Sequence, residues 1–250
     1  MLLREQGDAV LAIGQASHAW ISGQLARAWG NERFPAPEPR EEVCLGAEQH
    51  DIGMAEWDLR PTLNRETGLP HSFVELPVAT HIGLWAAAPH KLLSQSRYAA
   101  LLVSMHGTAL QARRNLASLS AADRRLVTRY VDDQRSLQAS LAHALGADSE
   151  QLARGQRLLW AWDGISLAVC LRWPSLELSG IPDTAGAGTM MLAPAGADRF
   201  TIDPWPFAAE RLEVRCDGRL LEGRFDSERQ LHAALDRAPG VGLTLTLAPR

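Results

Sequence analysis

The stretch that decides how this chain is interpreted is Glu48-Gln49-His50-Asp51-Ile52-Gly53. Around it, apolar side chains recur every three or four residues, which predicts a helix over residues 40–56. Adjacent side chains on a helix point about 100° apart, so His50 and Asp51 can share a metal ion that lies in the wedge between them. A carboxylate beside an imidazole can also bridge two ions, because it neutralises charge while the histidine supplies nitrogen.

Other polar side chains lie singly on other predicted helices, each among apolar neighbours. They are His18, His81, His106 and Asp163. An unpaired polar group on a buried face costs about 1–3 kcal/mol, so each of these residues needs a partner. Convergence on one pocket would let metal ions satisfy them together. Taken alone, each histidine has a commoner alternative role as a hydrogen-bonded core residue.

Helical periodicity and capping signals predict the elements that carry these residues. The predicted helices cover residues 17–29, 40–56, 77–89, 97–112, 120–145 and 148–171. The first fifteen residues predict a β-hairpin around Gln6-Gly7-Asp8. Beyond residue 173, prolines and glycines separate short strand-like runs, and Asp217-Gly218 is a hairpin signal.

From these elements we predict a mainly α fold. A helical metal-binding domain over residues 1–173 opens with the hairpin of residues 1–15, and a small β-rich region over residues 174–250 packs on it. This annex is expected to be an antiparallel sheet formed by the C-terminal segment, to which the N-terminal hairpin can add.

Composition narrows the class of partner. The net charge is −4 and no basic stripe is present, which argues against nucleic-acid binding. No run approaches the roughly 18 apolar residues that a membrane span needs, and the N-terminus is too polar for a secretory signal. The three cysteines lack the short spacing of a zinc knuckle. We therefore expect a cytoplasmic protein whose partner is a small-molecule substrate; its oligomeric state is left open.

The order His, His-Asp, His, His, Asp resembles that of the HD-domain superfamily of metal-dependent phosphohydrolases. The run His50-Asp51-Ile52-Gly53 is similar to the superfamily signature, and the resemblance covers residues 15–170. The matching positions outside the signature are His18, His81, His106 and Asp163. Residues 15–18, 104–107 and 162–167 are also similar to an uncharacterised bacterial family of unknown function that is grouped with HD-domain proteins.

This resemblance implies an HD-domain-like helical bundle and a dinuclear site. Two divalent metal ions (Fe, Mn, Zn, Ni or Mg) would be held by His18, His50, Asp51, His81, His106 and Asp163, with Asp51 as the bridge. The implied activity is metal-dependent hydrolysis of a phosphate ester or a nucleotide-like small molecule.

Three further residues are assigned roles around that site. Gln15 lies three residues before His18 and is expected to orient a ligand or the attacking water. Trp85 follows His81 by one helical turn and is a candidate substrate contact, with core packing as its alternative. His71, on a predicted loop, is a second candidate contact, with a surface or structural role as its alternative.

The sequence departs from the superfamily at one informative position. Many dinuclear phosphodiesterases of the superfamily carry a lysine directly after the His-Asp-Ile-Gly run, where this chain has Met54. That difference argues against cyclic-dinucleotide hydrolysis, and no dense Arg/Lys cluster near the signature is available for a polyphosphate. The same ligand order also occurs in HD-domain di-iron oxygenases. The lack of a phosphate clamp in the sequence favours this alternative. A non-catalytic metal- or ligand-binding protein is the third alternative.

Overall fold

The structure is a computed structural model that describes residues 1–250 and combines helices with a large sheet. Eight α-helices are present: α1 (Gln15–Ala28), α2 (Arg40–Glu48), α3 (Ala55–Leu59), α4 (Val78–Leu92), α5 (Arg97–Ala112), α6 (Ala121–Leu145), α7 (Ser149–Leu171) and α8 (Glu228–Arg237). Short 3-10 helices cover Ile52–Met54 and Leu116–Ser118. None of the helices combines the length and the apolar character needed to cross a membrane.

Nine strands complete the secondary structure. They are β1 (Leu2–Gln6), β2 (Ala9–Ile13), β3 (Leu63–Asn64), β4 (Leu69–Pro70), β5 (Leu176–Asp183), β6 (Gly186–Gly196), β7 (Arg199–Asp203), β8 (Leu212–Glu222) and β9 (Gly240–Pro249). Strands β3 and β4 pair only with each other, and the other seven form one sheet in the order β1-β2-β8-β9-β7-β6-β5. All of its neighbours are antiparallel except β7 and β9.

The seven-stranded sheet overturns the prediction of a mainly helical bundle with a small β annex: the fold is mixed α/β. The N-terminal hairpin is present, and its second strand pairs with β8, so that Leu11 lies opposite Leu220. The sheet thus draws strands from both sides of residue 173. The sequence allowed the N-terminal hairpin to join the C-terminal strands but underestimated the size of the sheet, because long-range strand pairing leaves no mark in either strand's own periodicity.

Two helices link the sheet to the rest of the molecule. Helix α1 contacts both β8 and α2, whereas α7 contacts both β5 and α5. The buried rings of Trp29 on α1 and Trp162 on α7 pack edge to face, with centroids 5.7 Å apart, and Phe207 lies 5.6 Å from Trp29. The burial of these large aromatic side chains holds the two helices firmly against the sheet. They are therefore rigid supports for residues on their other faces.

The signature lies in a turn and not on the helix predicted over residues 40–56. Helix α2 ends at Glu48, and His50 and Asp51 occupy the turn before the 3-10 helix. This turn lies against α4 so closely that a Cβ added to Gly53 would overlap the carbonyl oxygen of Leu84. That tertiary contact explains the glycine, and helical periodicity could not reveal it.

Candidate metal centre and pocket

Five of the six predicted ligands lie together in a buried group, which we call the floor cluster: His18, His50, Asp51, His106 and Asp163. They come from α1, the turn after α2, α5 and α7. His18 Nε2 lies 2.8 Å from Asp51 Oδ2, and His50 Nε2 lies 3.3 Å from Asp163 Oδ1. His106 Nε2 lies 3.4 Å from Asp163 Oδ2.

Three members offer donor atoms in the arrangement that a metal ion needs. One ligand atom each from His18, His50 and Asp163 lies within 4.8 Å of the other two. Imidazole nitrogen and carboxylate oxygen are ligands shared by zinc, manganese and iron. The floor cluster therefore supplies donors for at least one divalent cation.

The ring of His18 is oriented by a serine of α7. Ser166 Oγ donates to the main-chain oxygen of Asp163 at 2.8 Å, so its single hydrogen is engaged. It must then act as an acceptor toward His18 Nδ1, which lies 2.9 Å away. The hydrogen of neutral His18 is therefore on Nδ1, and the lone pair is on Nε2, which faces Asp51.

His50 is held in the same tautomer by the main chain. Its Nδ1 lies 2.8 Å from the carbonyl oxygen of Ala47, which can only accept, so Nδ1 carries a hydrogen. Nε2 is left to face Asp51 and Asp163. Histidines that bind metals usually donate their other N–H to a carbonyl or another fixed acceptor in this way.

The charges of the floor cluster are strongly coupled. Burial would lower the pKa of His50, but the carboxylates of Asp51 and Asp163 outweigh it and raise that pKa to about 9. Burial would raise the pKa of both carboxyls, but the facing histidines hold the Asp51 pKa below its usual value and the Asp163 pKa well below it. The cluster therefore favours a positive charge between its two carboxylates.

His81, the sixth predicted ligand, lies apart from this group. It is half-buried on α4, forms no ion pair with Asp51 or Asp163, and accepts a 3.4 Å hydrogen bond at Nδ1 from Arg114 Nη2. Arginine can only donate, so the ring hydrogen of neutral His81 is on Nε2. Burial, assisted by the charge of Arg114, lowers the His81 pKa to about 4.

Two of the three residues assigned to catalysis and substrate binding line the pocket, and the third does not. Gln15 is buried at the start of α1 and lines the pocket above the floor cluster, and its Oε1 has no hydrogen-bond partner. Trp85 also lines this pocket, with its ring centroid 5.7 Å from that of His106. His71 does not line it, and its Nδ1 is 3.0 Å from Thr62 Oγ1.

One further acid supports the site. Asp58 is buried and accepts a hydrogen bond from the main-chain N–H of Gln15. This contact fixes the first turn of α1, three residues before His18.

The pocket has a volume of about 290 Å³ and an unexpected basic side. We call His81, Gln111, Arg113 and Arg114 the rim. Arg114 Nε donates to Gln111 Oε1 at 2.9 Å, and the guanidinium carbon of Arg113 lies 3.7 Å from the centre of the Trp160 ring. The sequence did not indicate either arginine: Arg113 is the C-cap of α5 and Arg114 follows it, seven and eight residues after His106.

Comparison with known proteins gives a family without an assigned activity. No curated protein and no solved structure matches the chain. A family model described as "Protein of unknown function (DUF3891)" matches residues 1–223, and nothing in these comparisons links the chain to the HD-domain superfamily. The chain is therefore a member of the DUF3891 family.

Proposed function

We propose that this protein is a metal-dependent hydrolase of small phosphate esters, of the HD-domain type. The observation that carries the proposal is the orientation of His18 and His50, whose Nδ1 hydrogens are engaged by Ser166 and Ala47. Each ring therefore directs Nε2 at a carboxylate of the floor cluster. A structural pair of core histidines would not need both rings fixed in the tautomer that metal ligation requires.

Unpartnered atoms in the floor cluster support the fit of a cation. Buried side-chain atoms without a hydrogen-bond partner include Asp51 Oδ1 and His106 Nδ1. His50 Nε2 and His106 Nε2 face Asp163 at 3.3 and 3.4 Å but lack hydrogen-bond geometry. Buried polar groups are nearly always satisfied, and such a concentration of unsatisfied atoms is typical of a binding site. A divalent cation would satisfy them and balance the two carboxylates.

The ligand set follows from these positions. His18, His50 and Asp163 would hold the cation, with Asp51 and His106 beside them. Bound there, a divalent cation supplies Lewis-acid activation of water and of the ester. The second ion that the superfamily resemblance implies would require His81 to exchange its contact with Arg114 for a place among the ligands.

The protein's own residues suit the reaction. Gln15 Oε1 is an unused acceptor within the pocket and would orient the attacking water. Trp85 and Leu167 form apolar walls that limit access of bulk solvent. Hydrolysis would join the water oxygen to phosphorus and break the bond from phosphorus to the ester oxygen. The water would supply the proton that leaves with the alcohol.

Charge in the pocket favours a phosphate ester over the substrates of a di-iron oxygenase. The sequence favoured the oxygenase because it showed no phosphate clamp; Arg113 and Arg114 line the pocket and would serve as that clamp in our proposal. Phosphate oxygens are preferred partners of arginine, which binds them through paired N–H groups.

The test is an activity screen on untagged protein, stripped with a chelator and reconstituted separately with Mn, Zn, Ni, Mg or Fe. We expect hydrolysis of p-nitrophenyl phosphate or another phosphate ester only in the reconstituted protein. Asp163→Asn should lower it at least about a hundredfold, because it removes a ligand of the activating cation. His143→Gln, which changes an exposed histidine of α6, is the matched control and should leave it unchanged.

Two results would replace the proposal. Iron-loaded protein that consumes dioxygen with an organic substrate, and hydrolyses none of the esters, would identify an oxygenase. Protein that binds metal tightly but turns over nothing in either assay would identify a non-catalytic binding protein.

A further inference from the structure

We infer that the rim recognises the phosphate group of a small monoester whose organic part is apolar. The inference rests on the proposed function, since it names the substrate class of the same pocket. It is carried by two arginines without an acidic partner, by the apolar side chains that line the same pocket and by the volume of the pocket.

Arg114 is held in place by two neutral partners. Nε donates to Gln111 Oε1 at 2.9 Å, and Nη2 donates to His81 Nδ1 at 3.4 Å. A guanidinium carries five N–H groups, so Nη1 and the second hydrogen of Nη2 remain available. The half-buried side chain pays little additional rotamer entropy when it binds an anion, because its position is already fixed.

Arg113 is fixed by an aromatic ring instead. Its guanidinium carbon lies 3.7 Å from the centre of the Trp160 ring, and that ring packs against His106 with centroids 5.6 Å apart. Arg113 Nη1 also donates to the carbonyl oxygen of Ala109 at 3.4 Å, so that Nε and Nη2 of this exposed side chain remain to donate hydrogen bonds.

Neither arginine has an acidic partner. Ion pairs elsewhere in the chain engage arginines of other elements, but none includes Arg113 or Arg114. The acids that line the pocket are Asp51 and Asp163, which belong to the floor cluster and face its histidines. The rim therefore presents positive charge that no acidic side chain of the protein neutralises, and phosphate is an anion well matched to guanidinium groups.

The remaining lining sets the organic part of the ligand. Its apolar members are Phe73, Trp85, Leu110 and Leu167. The volume of about 290 Å³ is at the lower end of the roughly 300–1,000 Å³ typical of small-molecule sites. A phenyl-sized group with one phosphate is compatible with such a pocket, whereas a nucleoside triphosphate is too large and too polar.

In this arrangement His81 is a positioning residue for Arg114 and not a metal ligand. Its Nδ1 accepts from Arg114, and its hydrogen is on Nε2. Removal of the imidazole should therefore weaken phosphate binding while metal occupancy is retained. Loss of a metal ion from His81→Ala would overturn this assignment.

The experiment is calorimetric titration with inorganic phosphate, phenyl phosphate and ATP, with manganese counted in every sample. Inorganic phosphate is titrated into manganese-loaded and chelator-treated protein. Phenyl phosphate, which the loaded protein would hydrolyse, and ATP, which chelates manganese, are titrated into chelator-treated protein alone. We expect phenyl phosphate to bind more tightly than phosphate, and ATP to bind no better than phosphate. Arg114→Gln and Arg113→Gln should each weaken phenyl phosphate binding about tenfold or more, because a charge-assisted hydrogen bond to phosphate is lost. Arg135→Gln, at an exposed position of α6, is the matched control.

The outcomes separate this inference from the proposed function. Normal affinity in both arginine variants, at unchanged manganese occupancy, would overturn the rim as a phosphate site and leave the hydrolase proposal standing. Arginine-dependent binding in a protein that hydrolyses no ester would support the recognition site and remove the hydrolase. Binding of phosphate to neither form of the wild type would also overturn the inference.

Discussion

The floor and the rim of this pocket use histidines in opposite ways. His50 faces two carboxylates, which raise its pKa to about 9 against the effect of burial. His81 faces no carboxylate at hydrogen-bond distance and contacts Arg114, and its pKa is lowered to about 4. The difference shows that burial and the surrounding charges together decide the state of a histidine: two carboxylates outweigh burial at His50, whereas burial dominates at His81. A negative floor suits a cation and a positive rim suits an anion.

The largest effect should come from a change in the floor. His50→Gln removes one of the three grouped donors, and we expect the affinity for manganese or zinc to fall by more than about a hundredfold. His81→Ala, its counterpart in the rim, should retain metal. Competition with a chelating dye measures both. If the two variants lost metal equally, His81 would be a metal ligand, and floor and rim would not differ in function.

A smaller loss of metal affinity is expected when the floor cluster keeps its ligands but a hydrogen bond that orients one of them is removed. Ser166→Ala deprives His18 Nδ1 of its acceptor, and we expect metal affinity to fall by about 10–100-fold. Ser136→Ala removes a serine hydroxyl that contacts only the main chain of exposed α6 and should have no effect on the same dye titration. A metal affinity unchanged by Ser166→Ala would mean that the tautomer of His18 does not depend on this contact.

The spacing between floor and rim depends on Gly53. An alanine there would overlap the carbonyl oxygen of Leu84, so the turn that carries the floor residues would move away from α4, which carries His81. We expect Gly53→Ala to lower the free energy of unfolding by about 1–3 kcal/mol, measured by urea titration of chelator-treated protein.

The matched control is Gly83→Ala on α4. A Cβ at Gly83 meets no other atom within 4 Å, and alanine is the better helix former by up to about 1 kcal/mol. This variant should be as stable as the wild type or slightly more so. If both substitutions lowered the free energy of unfolding equally, the contact between Gly53 and α4 would not be the cause of the loss in Gly53→Ala.

The smallest effect is a pH dependence of opposite sign in the two regions of metal-free protein. The folded state raises the His50 pKa from 6.5 to about 9, so its contribution to the free energy of unfolding is complete below pH 6.5 and is lost as the pH rises through 9. The folded state lowers the His81 pKa to about 4, so its contribution is present above pH 6.5 and is lost as the pH falls through 4.

Urea unfolding of chelator-treated protein across this range checks both signs. His50→Gln should reduce the loss of stability on the alkaline side, and His81→Gln should reduce it on the acidic side. If His50→Gln lost as much stability as the wild type on the alkaline side, this histidine would not be coupled to the two carboxylates.

Sequence reasoning reached the site better than the fold. The order of polar residues on separate helices predicted that six side chains, His81 among them, would meet. Five of them lie together, and His81 contacts Arg114 at the rim instead. Their metal role remains a prediction. Helical periodicity succeeded because each ligand lies on, or next to, an element with one apolar face.

The parts that were wrong depend on contacts distant in sequence. The sequence left open whether the N-terminal hairpin joins the C-terminal strands, and the pairing of β2 with β8 makes them one seven-stranded sheet in place of the small annex that was predicted. The turn at His50 depends on the approach of Gly53 to α4. The rim was missed because an arginine after a helix is usually solvated, and only the tertiary structure shows that Arg113 and Arg114 line the pocket.

The most direct test of the metal centre is elemental mass spectrometry of untagged protein, beside a His50→Gln, Asp163→Asn double variant. We predict about one divalent ion per chain, as the three grouped donors provide, and its loss in the double variant. Two ions per chain would extend the centre toward His81. No ion in the wild type, even after reconstitution, would mean that the floor cluster is a polar core, and the proposed activity would fall with it.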